Sequence, residues 1–136
     1  MRRKIIHAIT AAAAQEEVYA RASAANDVMG VRVTPQEIVW PRFLKRLYLP
    51  YGDIVWAYLS IHETEMQTGE FDGGSLLDVR VVLFDTHGKY AAIKLDRPSY
   101  GEAVLNLLAD AAPHIAMGAT PENRQIFPFD MPSWQK

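Results

Sequence analysis

The chain has no cysteine among its 136 residues, and this removes several classes of chemistry at once. Disulfide bonds, thiol catalysis, iron–sulfur clusters and cysteine-based zinc sites are all excluded. A basic surplus is also absent, because the formal net charge is −2. Proteins that wrap nucleic acid or dock on anionic lipid usually carry such a surplus. We therefore expect no nucleic-acid partner.

A long apolar run is missing as well. No stretch approaches the roughly 18 apolar residues that can cross a bilayer, so the sequence predicts no transmembrane segment. Three basic residues at 2–4, followed by an apolar and alanine-rich stretch, have the outline of a signal peptide. However, this stretch is short, it contains His7 and Thr10, and its alanine-rich pattern continues past any cleavage point. We expect a cytoplasmic protein, with cleavage of residues 1–14 as the alternative.

Apolar residues make up 49% of the sequence, enough to build the core of one domain. The densest run of β-branched and aromatic residues lies at 47–61, interrupted by turn-forming residues at 50–53. In the strand after this turn, the large aromatic residues Trp56 and Tyr58 point to the same face. We therefore expect another segment of the chain to cover that face. Alternating patterns predict strands at 31–34, 38–40, 44–49, 54–62, 77–84 and 90–95.

Helices are predicted on both sides of these strands. Residues 3 to about 27 are rich in Ala, Glu, Gln and Arg and contain no Pro or Gly, as is typical of a helix. Its apolar stripe is thin, so we expect it to dock on its own domain or, as a homodimer, on a second chain. A second helix is predicted after a capping box formed by Ser99 and Glu102. A short third helix is predicted at 121–126.

This order of elements predicts an α+β domain. About six strands form an antiparallel bent sheet or partial barrel, and the second, amphipathic helix caps it. The predicted boundaries are an N-terminal helix at 1–29, the strand-rich domain at 30–127, and a tail rich in Pro and aromatic residues at 128–136. Residues 63–75 show no periodicity, so we expect a long acidic loop there.

The stretch LPYGDIVWAY at residues 49–58 resembles a motif of small uncharacterised bacterial proteins with a pleckstrin-homology-like fold. The turn at 85–90 and the helix after Ser99 fit the same plan, over roughly residues 30–127. The resemblance implies a fold more than a function. Phosphoinositide-binding members of that fold carry Lys and Arg in the first hairpin loop. Here that loop, residues 34–37, has one acid and no base, so inositol-phosphate binding is not expected.

Five residues are candidates for a binding site: Arg42, Lys45, Arg46, Trp40 and Tyr58. The three cations could meet a phosphate or an acidic partner. If the strand begins at Leu44, Lys45 and Arg46 point to opposite faces, so the favoured interpretation is that these charges protect a sheet edge from pairing with other chains. The two aromatics could line a pocket, but large aromatic side chains are more often core, and that interpretation is favoured.

A metal site is a further possibility near the end of the fourth predicted strand. If the strand continues, His62 and Glu65 point to opposite faces, which argues against a preformed site. We therefore expect no metal and no cofactor. Convergence of His62, Glu65 and Asp72 would favour a metal site, for which Glu63 and Glu70 are further carboxylates nearby in the sequence.

Asp85 and His87 could form an acid–base pair, but turn formation explains them better, and no nucleophile accompanies them. The sequence therefore predicts a non-catalytic interaction module that binds a protein or peptide. One alternative is a small-molecule or lipid binder that uses the mouth of the barrel. Another is a metal-dependent protein that uses His62 and the acidic loop. An exposed edge strand or apolar groove would favour the first function, and a large, partly apolar pocket the second.

Overall fold

The computed structural model describes residues 7–9, 20–42, 45–68 and 71–130. Five strands form the first sheet, in the order β1-β5-β4-β3-β2, and each neighbouring pair is antiparallel. Their bounds are β1 His7–Ile9, β2 Asp27–Val28, β3 Val31–Val33, β4 Glu37–Arg42 and β5 Lys45–Pro50.

Four strands form the second sheet, in the order β8-β7-β6-β9. The pairs β6–β7 and β7–β8 are antiparallel, and β9 runs parallel to the start of β6. The bounds are β6 Trp56–Thr68, β7 Phe71–Phe84, β8 Tyr90–Leu95 and β9 Ala116–Met117. A single 3-10 turn, Tyr51–Asp53, connects the two sheets.

Helix α1, Pro98–Ala111, follows β8, and the short helix α2, Pro121–Ile126, follows β9. Residues 20–24 are also helical. Among the described residues, no helix has both the length and the apolar character needed to span a membrane. The predicted α+β class is confirmed. The strands do not form one sheet of about six strands, however, because the described part of the chain divides nine strands between two sheets.

The main core joins the inner faces of both sheets to α1. Ala57 of β6 and Val81 of β7 are fully buried in it, next to Val104 and Leu108 of α1. Because alternate residues of a strand point to opposite faces, the halves of β6 and β7 nearest Trp56 and Phe84 place every second residue in this core, whereas Ile61 and Leu77 farther along the same face are exposed. The other fully buried members are Ile38, Leu49, Ile54, Val79 and Leu83.

A second core lies on the outer face of the second sheet. The Trp56 ring stacks on Phe127 with ring centroids 5.6 Å apart, and Phe84 stacks on Phe129 at 5.5 Å. The indole Nε1 of Trp56 donates a hydrogen bond to the carbonyl of Gly118 at 2.8 Å. The segment after α2 thus covers this aromatic face, as the sequence predicts.

The turn between β7 and β8 has a structural role, as the sequence indicates. The Asp85 carboxylate accepts hydrogen bonds from the backbone amides of His87 at 2.8 Å and Lys89 at 2.9 Å. Gly88 has a φ of +78°, and a Cβ there would lie 2.9 Å from the Phe129 ring. Glycine is therefore required both for the turn and for the close approach of the tail.

The predicted acidic loop at 63–75 is mostly strand. Pairing of β6 with β7 continues from Glu63 opposite Leu77 to Thr68 opposite Phe71, with a register irregularity between Met66 and Thr68. Side-chain alternation is a poor guide here, because a two-stranded ladder satisfies the backbone groups whatever the side chains are.

The N-terminal prediction is wrong at residues 7–9, which form β1 and pair with β5 instead of continuing a helix. Edge pairing explains the difference, because β5 would otherwise present unpaired backbone groups. Residues 20–24 are helical as predicted, and the rest of the segment before residue 20 lies outside the described residues. The described parts contact their own domain, and dimerisation through this segment stays a prediction.

Helix α1 begins at Pro98 rather than after Ser99, so the predicted capping box is wrong. Arg97 is the N-cap residue and its side chain makes no capping hydrogen bond. Proline suits the first turn, because its φ is fixed near the helical value and its missing N–H has no partner to lose there.

Replacing Ser99 with alanine should therefore leave stability almost unchanged, within about 0.5 kcal/mol, since Ser99 is exposed and inside the first turn. Thermal unfolding measures this. A loss of about 1 kcal/mol would show that the serine does cap the helix.

Replacing Trp56 with alanine should destabilise the protein by about 3–5 kcal/mol, because the side chain is fully buried and stacks on Phe84 and Phe127. Urea unfolding followed by circular dichroism measures the loss. A midpoint equal to that of the wild type would contradict the burial of this ring.

Candidate binding cleft

The turn between β2 and β3 has an unusual backbone. Both of its central residues have positive φ, +50° at Met29 and +88° at Gly30, as in a type I′ hairpin turn. Asn and Gly favour this conformation, whereas a bulky side chain such as methionine is strained in it. Met29 is nevertheless 52% exposed. Its side chain gains little from burial, so packing within the chain does not offset the strain of the backbone at this position.

The turn lies against the end of β4. A Cβ on Gly30 would lie 3.1 Å from Cγ of Pro41, so only glycine allows this approach without a shift. The Gly30 amide donates a hydrogen bond to the Asp27 carboxylate at 2.7 Å. The close approach to Pro41 and the hydrogen bond to Asp27 therefore hold the turn in place, and the turn fixes the position of Met29.

A cleft of about 370 Å³ opens between this turn, the end of β4 and strand β8. Three nearly buried apolar residues, Val31, Trp40 and Ile93, form its base. Two of these belong to the first sheet and one to the second, so the cleft lies where the two sheets meet. The remaining lining residues are Met29, Pro41, Arg42, Arg80, Ala92 and Lys94.

The polar lining of the cleft is cationic. Arg80 on β7 and Lys94 on β8 are paired in the register and share a face. Arg80 donates to the Asp78 carboxylate at 2.9 Å, which satisfies part of its charge. Arg42 and Lys94 are exposed, and neither has an ion-pair partner within the described ranges. Three cations and no acidic residue thus line the cleft, on a chain whose net charge is −2.

Strand β8 adds main-chain groups to the site. It ends the second sheet, and β7 is the only strand it pairs with in the part of the chain that the structure describes. Such a strand presents a row of N–H and C=O groups on its outer side. Ala92, Ile93 and Lys94 of this strand line the cleft, so unpaired main chain, apolar surface and positive charge are adjacent.

The structure brings together some of the predicted binding residues and not others. Trp40 and Arg42 line the cleft. Arg46 is exposed on β5 and is not among the lining residues, and the Lys45 side chain lies outside the described part of the chain. Tyr58 is fully buried in the second core. Tyr58 is therefore a core residue, as the sequence predicts, and its side chain is not accessible to a ligand.

Sequence patterns could not identify the other half of the site. Lys94 is recognisable as an outward residue of a strand, but no local signal connects it to Arg42, about fifty residues earlier. Met29 lies in a segment that the sequence marks only as a helix exit. The cleft forms through packing of two sheets, which alternation within single strands does not describe.

One protein family matches this chain. The model of the family described as "Domain of unknown function (DUF6709)" matches residues 3–127. The chain belongs to this family. No curated protein and no solved structure matches it. The matched region includes both sheets and every residue that lines the cleft, so the cleft lies within the family domain.

The metal hypothesis receives no support from the positions that the structure gives. His62 is exposed on β6, and the side chains of Glu65, Glu70 and Asp72 lie outside the described part of the chain. Where side chains are described, no three His, Asp or Glu residues are close enough to hold a metal ion together.

A buried polar cluster supports the strands next to the cleft. Glu37, only 3% exposed, accepts a hydrogen bond from Nε of Arg21 at 3.1 Å and another from the Thr34 hydroxyl. The Tyr51 hydroxyl donates to the carbonyls of Thr34 at 2.6 Å and Glu37 at 3.0 Å. The cluster therefore ties the helical residues at 20–24 to the hairpin of β3 and β4.

The charge of Glu37 is stabilised by its donors. Burial alone raises the pKa of this carboxyl, but the hydrogen bonds from Arg21 and Thr34 outweigh it, and the pKa of Glu37 falls below its ordinary value. Burial, followed by the negative charge of Glu37, raises the pKa of the Tyr51 phenol. Tyr51 thus stays a neutral hydrogen-bond donor, and Glu37 stays an acceptor. Since Glu37 is predicted from sequence only as a turn residue, this role was missed.

Replacing Glu37 with glutamine should cost about 1–3 kcal/mol near pH 7, because Arg21 loses its charged partner. The folded-state pKa of Glu37 is lowered, so its contribution is fully present above the ordinary carboxyl pKa of 4.5 and is lost as the pH falls through the folded-state pKa. Urea unfolding between pH 7 and pH 3 measures both effects. The difference between wild type and variant should shrink below pH 4.5, and a constant difference would contradict the ion pair.

Proposed function

We propose that this protein is a non-catalytic interaction module that binds an extended peptide segment of a partner protein. The peptide lies along the outer edge of β8 and places side chains in the cleft beside it. The observation that carries the proposal is the position of an edge strand against an apolar, cationic cleft. Recognition by strand addition uses these same two parts, since main-chain hydrogen bonds give affinity and side-chain pockets give specificity.

The chemistry of the cleft supports binding over catalysis. Its nine lining residues include no carboxylate, imidazole or hydroxyl group. General acid–base or nucleophilic catalysis would place such groups within reach of one another. The apolar base of Val31, Trp40 and Ile93 is instead suited to hold a side chain of a bound peptide.

The chain order supports a pleckstrin-homology-like fold, which we propose together with this function. Strands β2 to β5 precede strands β6 to β8, and α1 follows them and packs in the core that both sheets share. The plan that the sequence predicts is about six strands followed by one helix, and β1 and β9 are additional to it.

A second candidate function is binding of a small apolar molecule in the same cleft. The observation that favours it is the volume of about 370 Å³, which lies in the range of ligand pockets, roughly 300–1,000 Å³. Such a ligand would fill the base of the cleft and would not need the backbone of β8.

Strand addition can be tested with a peptide selected from a random library on the purified protein. Its binding should protect from hydrogen exchange the amides of β8 that point away from β7, because the amides that point toward β7 are already bonded in the ladder. Methylation of alternate peptide nitrogens should abolish binding when the methylated amides face β8, and should leave binding intact when they face away. Equal effects of both methylation patterns, or protection at another strand, would overturn the proposal. If a small apolar dye is sufficient to displace the peptide, that result would favour the second candidate function, binding of a small apolar molecule.

Met29 provides a variant that separates binding from folding. Asparagine suits the positive φ at this position, so Met29→Asn should keep or raise the melting temperature. The same change removes an exposed apolar side chain from the rim of the cleft and should weaken binding of the selected peptide several-fold. Unchanged affinity in a protein of unchanged stability would show that the peptide binds elsewhere.

A further inference from the structure

We infer that the cleft selects extended peptides in which acidic residues alternate with apolar ones. The inference rests on the proposed function, because it concerns the side chains of the same bound peptide. Its basis is the separation of charge and apolar surface onto the two faces of β8 at one edge of the sheet.

The two faces of β8 are chemically different where they line the cleft. Lys94 is paired with Arg80 on one face, whereas Ile93, paired with Val81, belongs to the main core on the other. Val31 and Trp40 lie in the same core as Ile93. A strand added beside β8 continues the pleat, so its side chains point alternately to these two faces. One set of peptide side chains therefore meets cations, and the next set meets apolar residues.

Carboxylates suit the cations that line the cleft, which are Lys94 on the face of β8 shared with Arg80, and Arg42 at the end of β4. Lys94 and Arg42 are exposed and have no ion-pair partner within the described ranges, so a bound carboxylate would not have to displace an existing contact. The planar guanidinium of Arg42 can donate two parallel hydrogen bonds to one carboxylate, and Lys94 adds a point charge. Arg80 already holds Asp78, and it contributes mainly to the positive potential.

A peptide fits this site better than an anionic membrane or a nucleic acid. Both of those present extended charged surfaces and favour proteins with a broad basic face, whereas this chain has a net charge of −2. The cations here line a concave site with a buried apolar base. Such a site accommodates a single strand with alternating side chains, and it offers no flat surface to a bilayer.

The test uses three labelled peptides of one length and measures binding by fluorescence anisotropy. The first alternates glutamate with valine, the second has glutamine at its two central glutamates, and the third has lysine there. The glutamine peptide should bind about tenfold more weakly than the first, as expected for the loss of charge-assisted hydrogen bonds, and the lysine peptide should not bind. Affinity of the first peptide should fall as salt is raised, because the cations are exposed.

Protein variants locate the effect. Arg42→Gln and Lys94→Gln should each weaken the glutamate peptide several-fold and reduce its preference over the glutamine peptide. Lys89→Gln is the matched control, since Lys89 carries the same charge in the turn before β8 and is not among the lining residues. The control should bind like the wild type, and an equal loss in all three variants would indicate only a general charge effect and overturn the inference.

The peptide selected from the random library separates the two proposals. If it binds along β8 while the glutamate and glutamine peptides bind equally, or not at all, the acidic preference is wrong and the proposed function stands. If the selected peptide does not protect β8, the proposed function fails as well. Sedimentation with phosphatidylserine vesicles that Arg42→Gln and Lys94→Gln abolish, without any preference among peptides, would assign the cations to a membrane surface instead.

Discussion

The antiparallel register of β6 against β7 is the constraint on which the rest of the molecule depends. It pairs Trp56 with Phe84 and Ala57 with Leu83, so a single alignment builds an aromatic outer face and an aliphatic inner face. A shift of one residue would move every side chain to the opposite face. Large aromatics would then enter the main core, where α1 now packs, and small aliphatic residues would lie under the tail.

Two apolar faces require two covers, and each cover is a separate piece of chain. Helix α1 supplies Val104 and Leu108 on the inside, and the segment after α2 supplies Phe127 and Phe129 on the outside. The second sheet is thereby covered on both faces near the Trp56–Phe84 pair. Farther along its inner face, Ile61 and Leu77 are exposed. One edge of the sheet is paired with β9 only at the start of β6, and the cleft beside β8 lies at the other edge.

The sequence predicted the parts of the fold that follow from local patterns. Alternation of apolar and polar residues located the strands, and the aromatic face at Trp56 and Tyr58 indicated that another segment covers it. Predictions failed where strand pairing overrides local propensity. Residues 7–9 form an edge strand of the first sheet instead of a helix. Beyond Ile61, β6 and β7 continue as a two-stranded ladder instead of a loop. The site was predicted only in part, at Trp40 and Arg42. Lys94 could not be joined to them, because the contact between the sheets is a property of the packed core and not of any one segment.

The charges beside β8 also bear on whether this open edge pairs with other chains. Exposed edge strands pair readily with other chains, and charged side chains on the edge are one way in which proteins prevent this. Two copies of β8 brought edge to edge would bring the cations of both copies to one seam, so like charges would oppose the pairing. A strand that carries acidic residues would meet the same cations with the opposite sign. Under the proposed function, the cations at this edge have two effects, because the charge that repels a second copy of β8 is the charge that attracts an acidic peptide.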